Sequence, residues 1–243
     1  MFENIDVLKQ KLDQHRPLAP SIVKNLQEDL ILRWTYHSNA IEGNTLTLLE
    51  TKVVLEGITV GGKALREHFE AINHRDAIYY VEDIIRKDEP FSEWQILNIH
   101  QLILKNIGDD NAGRYRQQNV LTSGAISNPP DYTLLNDKMA QFVDWYNTEA
   151  HQLHPIERAA KVHADFVGIH PFIDGNGRTS RLLMNLELMK AGYPPCVITV
   201  ENRLAYYETL DQWMAFGQTE KFVQLVADAV LEGFKPYQMV LGI

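Results

Sequence analysis

His170-Pro171-Phe172-Ile173-Asp174-Gly175-Asn176-Gly177-Arg178-Thr179-Ser180-Arg181 places one imidazole, one carboxylate and two guanidinium groups within a dozen positions. The residues that follow, Leu182 to Lys190, carry the apolar spacing of a helix, so Asp174 to Arg178 reads as a tight loop feeding a helix N-terminus. Unpaired amide N–H groups and the positive end of the helix dipole converge there and make an anion site. Gly175 and Gly177 let the backbone come close to an anion, and Asn176 adds an uncharged donor. Arg178 and Arg181, three positions apart, leave the first turn on one side, and two such forks suit a polyphosphate. Asp174 would repel phosphate by itself, which makes sense if it holds a Mg²⁺ that bridges phosphate oxygens. His170 offers an imidazole able to take a proton from an incoming hydroxyl. The set points to phosphoryl or nucleotidyl transfer. Taken singly, each residue is ordinary turn or helix-surface chemistry; the complete order is what argues for a site.

The string resembles the signature of the Fic (filamentation induced by cAMP) domain family, His-x-Phe-x-(Asp/Glu)-Gly-Asn-Gly-Arg-x-x-Arg, at every defined position. The similarity runs from about Phe91 to Phe216, and the N-terminal helical region also looks like the family. The resemblance implies a protein adenylyltransferase, which moves AMP from ATP to a Ser, Thr or Tyr hydroxyl of a protein and releases pyrophosphate. It makes His170 the general base, Phe172 the anchor of the loop, and Asp174 the ligand of Mg²⁺, with Mn²⁺ as a substitute. Asn176 and the Gly175 and Gly177 backbone would hold the α- and β-phosphates, Arg178 would bind the polyphosphate, and Arg181 would grip the γ-phosphate. A branch that phosphorylates its target carries Lys at the second motif glycine; Gly177 argues against that branch here.

A second segment lies far upstream. Ser38-Asn39-Ala40-Ile41-Glu42-Gly43-Asn44 ends a helical pattern that starts near Ser21, with Gly43 as its cap. Ser38 and Glu42 are four apart and share a face. By itself this is a solvated glutamate at a helix end, where its charge opposes the dipole. The segment also resembles the family's inhibitory motif, (Ser/Thr)-x-x-x-Glu-(Gly/Asn). The resemblance implies that Glu42 pairs with Arg181 and takes the guanidinium that a γ-phosphate needs. With both motifs in one chain, it is similar to the class II, self-inhibited members, in some of which the same glutamate also supports removal of AMP.

Several elements must position these groups. Thr47-Leu48-Leu49-Glu50 and Ser92-Glu93-Trp94-Gln95 have capping-box spacing, the second before an amphipathic run to Asn106. Helices are expected over Ala64–Arg86, from Pro155 into the His170 loop, over Arg203–Phe216 and over Glu220–Phe234. One region, Tyr115 to Ile126, reads as a short β-hairpin, with a surface loop as the alternative. The resemblance makes its tip, Val120, Leu121, Thr122, Ser123 and Gly124, a flap that pairs with an extended target segment by β-augmentation. Tyr206 and Tyr207 sit where the family often places contacts to the nucleotide, although two tyrosines in a helix are more often core. The expected architecture is an all-α, Fic-type helical domain with a hairpin flap. A helical region, residues 1–90, would carry the inhibitory helix (about 21–43), and residues 91–243 would form the catalytic core and closing helices.

Composition narrows the alternatives. The 243 residues, 45% hydrophobic and 23% charged, suit one globular domain with an extension. A net charge of −9 argues against a nucleic-acid partner, since phosphate backbones demand a basic face. The single cysteine, Cys196, forms no intrachain disulfide, Met1 to Asp6 lacks a signal-like apolar run, and no stretch is long enough to span a membrane. A cytoplasmic protein is expected, with ATP, a protein target and its own second copy as partners. His163, Asp165 and His170 can be drawn as a metal cluster, but Pro171 breaks any shared helix. Two other functions fit the same residues: transfer of another nucleotide such as UMP, and a non-catalytic nucleotide-binding module. The second has no use for His170 as a base.

Overall fold

A computed structural model describes residues 2–122 and 124–243. Among them lie ten α-helices and no strand: α1 (Glu3–Asp13), α2 (Pro20–Ile41), α3 (Leu48–Leu55), α4 (Leu65–Arg86), α5 (Glu93–Leu104), α6 (Leu135–Thr148), α7 (Pro155–Ile169), α8 (Asn176–Lys190), α9 (Arg203–Phe216) and α10 (Glu220–Leu241). No helix of the described residues is long and apolar enough to cross a membrane.

The centre is α7 packed on α8, joined by the loop His170 to Gly175. Pro155 opens α7 at its first turn, and the His154 ring nitrogen Nδ1 accepts from the Ile156 amide at 3.2 Å. One face of α7, Ala159, Ala160, Val162, Ala164 and Phe166, is buried. Helix α8 is buried on nearly every side from Thr179 to Leu188, the mark of a helix inside the core. Its polar members are therefore paired: Asn185 exchanges two 2.8 Å hydrogen bonds with the Cys196 backbone, and Glu187 accepts from Arg158 and Tyr146.

Two large apolar clusters flank this pair. One joins Ile5, Leu12 and Ile41 to Met184, Leu188, Phe222, Val226 and Phe234. The other joins Trp34, Ile78 and Val81 to Ile99, Phe166, Phe172, Leu182 and Leu186. Each cluster draws on residues from both sides of position 90.

Helix α2 ends in a Schellman arrangement: the Asn44 amide reaches Asn39 O and the Gly43 amide reaches Ala40 O, both at 3.1 Å. Gly43 stands at φ +99°, a conformation that L side chains rarely adopt, so the glycine ends the helix with Glu42 as its cap. The capping box at Thr47 and Glu50 forms as the spacing suggests.

Three expectations need correction. Residues Tyr115 to Ile126 form no hairpin among the described positions; Ser123, part of the expected flap tip, lies outside them. Two apolar pairs are too short for a ladder, and the flanking backbone is claimed elsewhere: Gln118 O accepts from Arg116, and the Asn119 side chain bonds Asp131 and the Tyr132 amide. A single turn bond, Ala125 N to Thr122 O at 3.1 Å, remains. At Ser92 the hydroxyl pairs with the Gln95 side chain instead of capping α5, which ends at Leu104. Helix α10 runs to Leu241, past the expected end at Phe234, because Tyr237 and Leu241 continue its packed face.

Candidate active site

The site grows from the turn between α7 and α8. His170 follows the last residue of α7 in the left-handed region, at φ 50° and ψ 57°, which turns the chain sharply before Pro171. Phe172 is fully buried and stacks face to face on the His100 ring at 3.5 Å. Asn176 closes the loop: its carboxamide accepts from Phe172 N at 3.0 Å and donates to Phe172 O at 2.8 Å. Those two bonds hold the loop closed. His100 holds the loop from the other side, with Nε2 donating to Asp174 O at 2.9 Å and Nδ1 accepting from the Gly113 amide at 3.0 Å. Burial drives the His100 pKa down to about 4, against the Asp174 carbonyl, so the ring stays neutral.

Gly175 caps α8 at φ +82°, and a side chain there would press on His100 and Ile103. The first-turn amides of α8 have no intrahelical acceptor and face the loop. Above them stands a carboxylate from another helix. Glu42 at the end of α2 reaches over Gly177 so closely that a Cβ on that glycine would collide with its carboxylate. Glu42 accepts from Arg181 Nη2 at 2.7 Å. Every Arg181 nitrogen is engaged: Nε donates to Ser38 Oγ at 3.0 Å, Nη2 also to Ser38 O at 2.8 Å, and Nη1 to the Tyr206 hydroxyl at 3.2 Å. Arg181 is 2% exposed and Glu42 33%. Ser38, Glu42, Arg181 and Tyr206 thus form one cluster at an α-helix N-terminus.

Tyr206 is buried behind Arg181, and its hydroxyl also meets His163 Nε2 at 2.9 Å. Burial raises its pKa to about 12 despite the nearby arginine. It supports the guanidinium from within the core. Tyr207 lies at the edge, its hydroxyl donating to Ile41 O at 3.2 Å under the Arg203 guanidinium.

Asp174 is surrounded by cations. Arg66 of α4 donates to Oδ2 at 2.7 Å, Arg178 to Oδ1 at 3.1 Å and the Gly175 amide to Oδ1 at 2.6 Å. Burial works to raise this carboxyl, but Arg178, Gly175 and Arg66 outweigh it and hold the pKa below its ordinary value. Arg178 is 2% exposed, with Nη1 at 3.5 Å from Glu70, and its Nε and Nη1 have no hydrogen-bond partner. His170 keeps a lowered pKa: burial dominates, Arg116 adds to it, and a hydrogen bond with the Val167 backbone, Glu42 and Asp174 oppose. The imidazole is neutral at pH 7 and can accept a proton.

Among the described residues no group of three or more His, Cys, Asp or Glu side chains is arranged to hold a metal, so His163 and Asp165 join no such cluster. One ionised carboxylate at an anion site does fit a hard cation whose remaining ligands are phosphate oxygens and water. Residues 120–122 and Gly124 belong to the loop between Gln118 and Pro130, with Leu121 81% exposed. Four residues have no part in the sequence motifs: Arg66, Glu70, His100 and Arg116. Polar residues on apolar helix faces, as His100 is between Ile96, Ile99 and Ile103, are the signal that could have found His100.

The profile of the Fic/DOC family matches residues 90–188. A protein adenylyltransferase Fic of Nematostella vectensis is 40% identical over 230 residues, spanning 93% of this chain and 53% of the relative. One from Aedes aegypti is 37% identical over 94% of this chain and 47% of its own length. The chain spans about half the length of these curated relatives. Among solved structures, Fic-1 (residues 134–508) from C. elegans superposes with a TM-score of 0.87 at 32% identity, covering 99% of this chain and 72% of that one. A Fic domain containing signaling protein from Bacteroides thetaiotaomicron gives 0.90 at 30% identity, covering 99% and 97%.

Proposed function

The chain belongs to the Fic/DOC family, and from that premise we propose that it transfers AMP from ATP to a hydroxyl of a protein and holds itself inactive through Glu42. The observation that carries the reading is the 2.7 Å contact between Glu42 and Arg181 above the Gly177 backbone. A carboxylate seated at a helix N-terminus and paired with a buried arginine stands where an anionic substrate group would bind. Curated relatives that carry the name protein adenylyltransferase support the choice of reaction and of ATP as donor.

In this reading the amides at the start of α8 and the unpaired nitrogens of Arg178 cradle the polyphosphate. Arg181, once free of Glu42, draws its terminal phosphate and so aligns the α-phosphate for attack. Neutral His170 takes the proton of the acceptor hydroxyl as its oxygen bonds to the α-phosphorus. The bond from the α-phosphorus to the bridging oxygen breaks, and pyrophosphate leaves. Asp174 is the residue that would hold Mg²⁺, which when bound offsets polyphosphate charge. The exposed loop at 120–122 would receive an extended segment of the target, and residues 1–90 would serve as the regulatory part.

Label transfer from α-labelled ATP tests this, comparing wild type, Glu42→Gly and Glu42→Gly/His170→Ala, with unlabelled GTP and UTP as competitors. Protein-bound label strong in Glu42→Gly alone, and resistant to GTP and UTP, is the expected result. Label removed by UTP would move the reading to another nucleotide. Absence of label in all three would leave a binding module.

A further inference from the structure

Arg116 lies outside every motif, yet the residue is 3% exposed and all three guanidinium nitrogens donate to backbone carbonyls. Nε donates to His170 O at 2.9 Å, Nη1 to Gln118 O at 2.9 Å and Nη2 to Pro130 O at 2.6 Å. Its own amide donates to Pro171 O at 2.9 Å. No carboxylate among the described residues forms an ion pair with it; the nearest influence of opposite sign is Asp131. A buried cation with no counter-ion is a poor choice for stability alone. What it does achieve is to satisfy carbonyls of irregular backbone that would otherwise be buried without partners.

Those carbonyls are not scattered. His170 stands in the left-handed region, which a residue with a side chain adopts only where its surroundings over-determine it. Arg116 bonds the carbonyl of that residue and of the next. Gln118 and Pro130 are the two ends of the loop that carries exposed Leu121 and Ile126. One guanidinium therefore ties the backbone under His170 and both feet of the loop into a single frame.

We propose that Arg116 is a positioning residue for the transfer reaction: it fixes the His170 backbone and the loop 118–130 relative to each other, so that an acceptor hydroxyl presented by the loop meets the imidazole at a set distance. This rests on the transferase reading above. The groups that face His170 are Arg116 from the segment after α5, Glu42 from the end of α2 and Asp174 from the loop before α8. Arg116 is the cation of the three, so it also disfavours the protonated imidazole.

The test uses the full chain in the Glu42→Gly background, with Arg116→Lys and Arg116→Met. Lysine keeps the charge and loses the three-way fork; methionine keeps the length and loses both. Both variants are expected to lose about 100-fold in kcat with KM for ATP within about twofold, because a base misplaced by an ångström loses rate without losing nucleotide. The acidic limb of the pH–rate profile is expected to stay in place for lysine and to move up by about half a unit for methionine, where the cation is gone. The His170 ring, followed by NMR in histidine-labelled protein and assigned with His170→Ala, is expected to titrate with the same pattern in the absence of any substrate. A merely structural arginine would lower the melting temperature and leave the kcat/KM split and both titrations untouched, and that result overturns the proposal. A parallel rise of KM for ATP overturns it too. If the Glu42→Gly parent transfers no AMP, the function fails, while the His170 titrations in the same proteins still decide whether Arg116 governs that ring.

Discussion

Replacing Glu42 in two steps separates its charge from its bulk. The carboxylate makes one charge-assisted hydrogen bond to Arg181, 2.7 Å long, and its partner is fully buried. Such bonds contribute about 1.5–3 kcal/mol, and because Glu42 is a third exposed, solvent screening places this one near the lower end. About 1.5 kcal/mol corresponds to roughly a tenfold change in the fraction of Arg181 available to a substrate phosphate. Glu42→Gly removes the whole contact and is expected to raise the initial rate of AMP transfer by about tenfold or more. Glu42→Gln keeps an oxygen at the same reach but no charge; a neutral bond is about half as strong, so about threefold is expected. Initial rates with α-labelled ATP, at equal protein and Mg²⁺, give the order Glu, Gln, Gly. A glutamine variant as fast as the glycine variant would refute the electrostatic account, and a glycine variant no faster than wild type would remove the brake altogether.

Three other outcomes follow from the geometry. The depressed pKa of His100, about 4 against 6.5, means the unfolded chain binds its proton first as pH falls. The stabilising contribution is complete above pH 6.5 and is lost toward pH 4, worth about 3 kcal/mol; His74 and His163 shift in the same direction, and denaturant titrations at the two ends of that window should differ by at least this amount, less so in His100→Gln. Arg66→Ala frees one oxygen of Asp174 and is expected to tighten Mn²⁺ binding in the presence of a non-hydrolysable nucleotide by about fivefold, read by the Mn²⁺ spin-resonance signal; unchanged affinity would count against Asp174 as the cation's ligand. Phe172→Ala empties a fully buried site against His100 and is expected to lose about 3–5 kcal/mol of stability, measured by urea unfolding, with a loss under about 1 kcal/mol contradicting the packing described.

Helix α8 and the loop before it were legible because they combine two local signals, a glycine-rich turn and an apolar period, in one continuous stretch. The end of α2 was legible for a similar reason: Gly43 sits one residue past Glu42, and only a glycine closes a Schellman turn without strain. Periodicity could not reveal that α4 sends Arg66 to Asp174, 108 positions away, or that Arg116 reaches His170. Each is a lone polar residue whose partner is chosen by tertiary packing. The expected hairpin failed on the opposite side, since alternation over two short pairs says nothing of whether neighbouring side chains will claim the backbone first. Asn176 was the subtlest case. Its place in the motif suggested a hand on the phosphate, and the structure adds a task that spacing could not reveal, two hydrogen bonds to the Phe172 backbone.

That staple between Asn176 and Phe172 has a consequence for time. In the proposed reading, a loop already closed by its own hydrogen bonds needs no refolding when Glu42 leaves, and the Ser38 and Tyr206 contacts of Arg181 do not pass through Glu42. The idle and working states then differ by the swing of one partly exposed carboxylate at a helix end. Exposed side chains turn in nanoseconds or less, whereas segments that must order themselves take microseconds or longer. Under that proposal the switch has no memory: it answers the occupancy of its pocket at each moment, and a lag in the onset of AMP transfer would count against it.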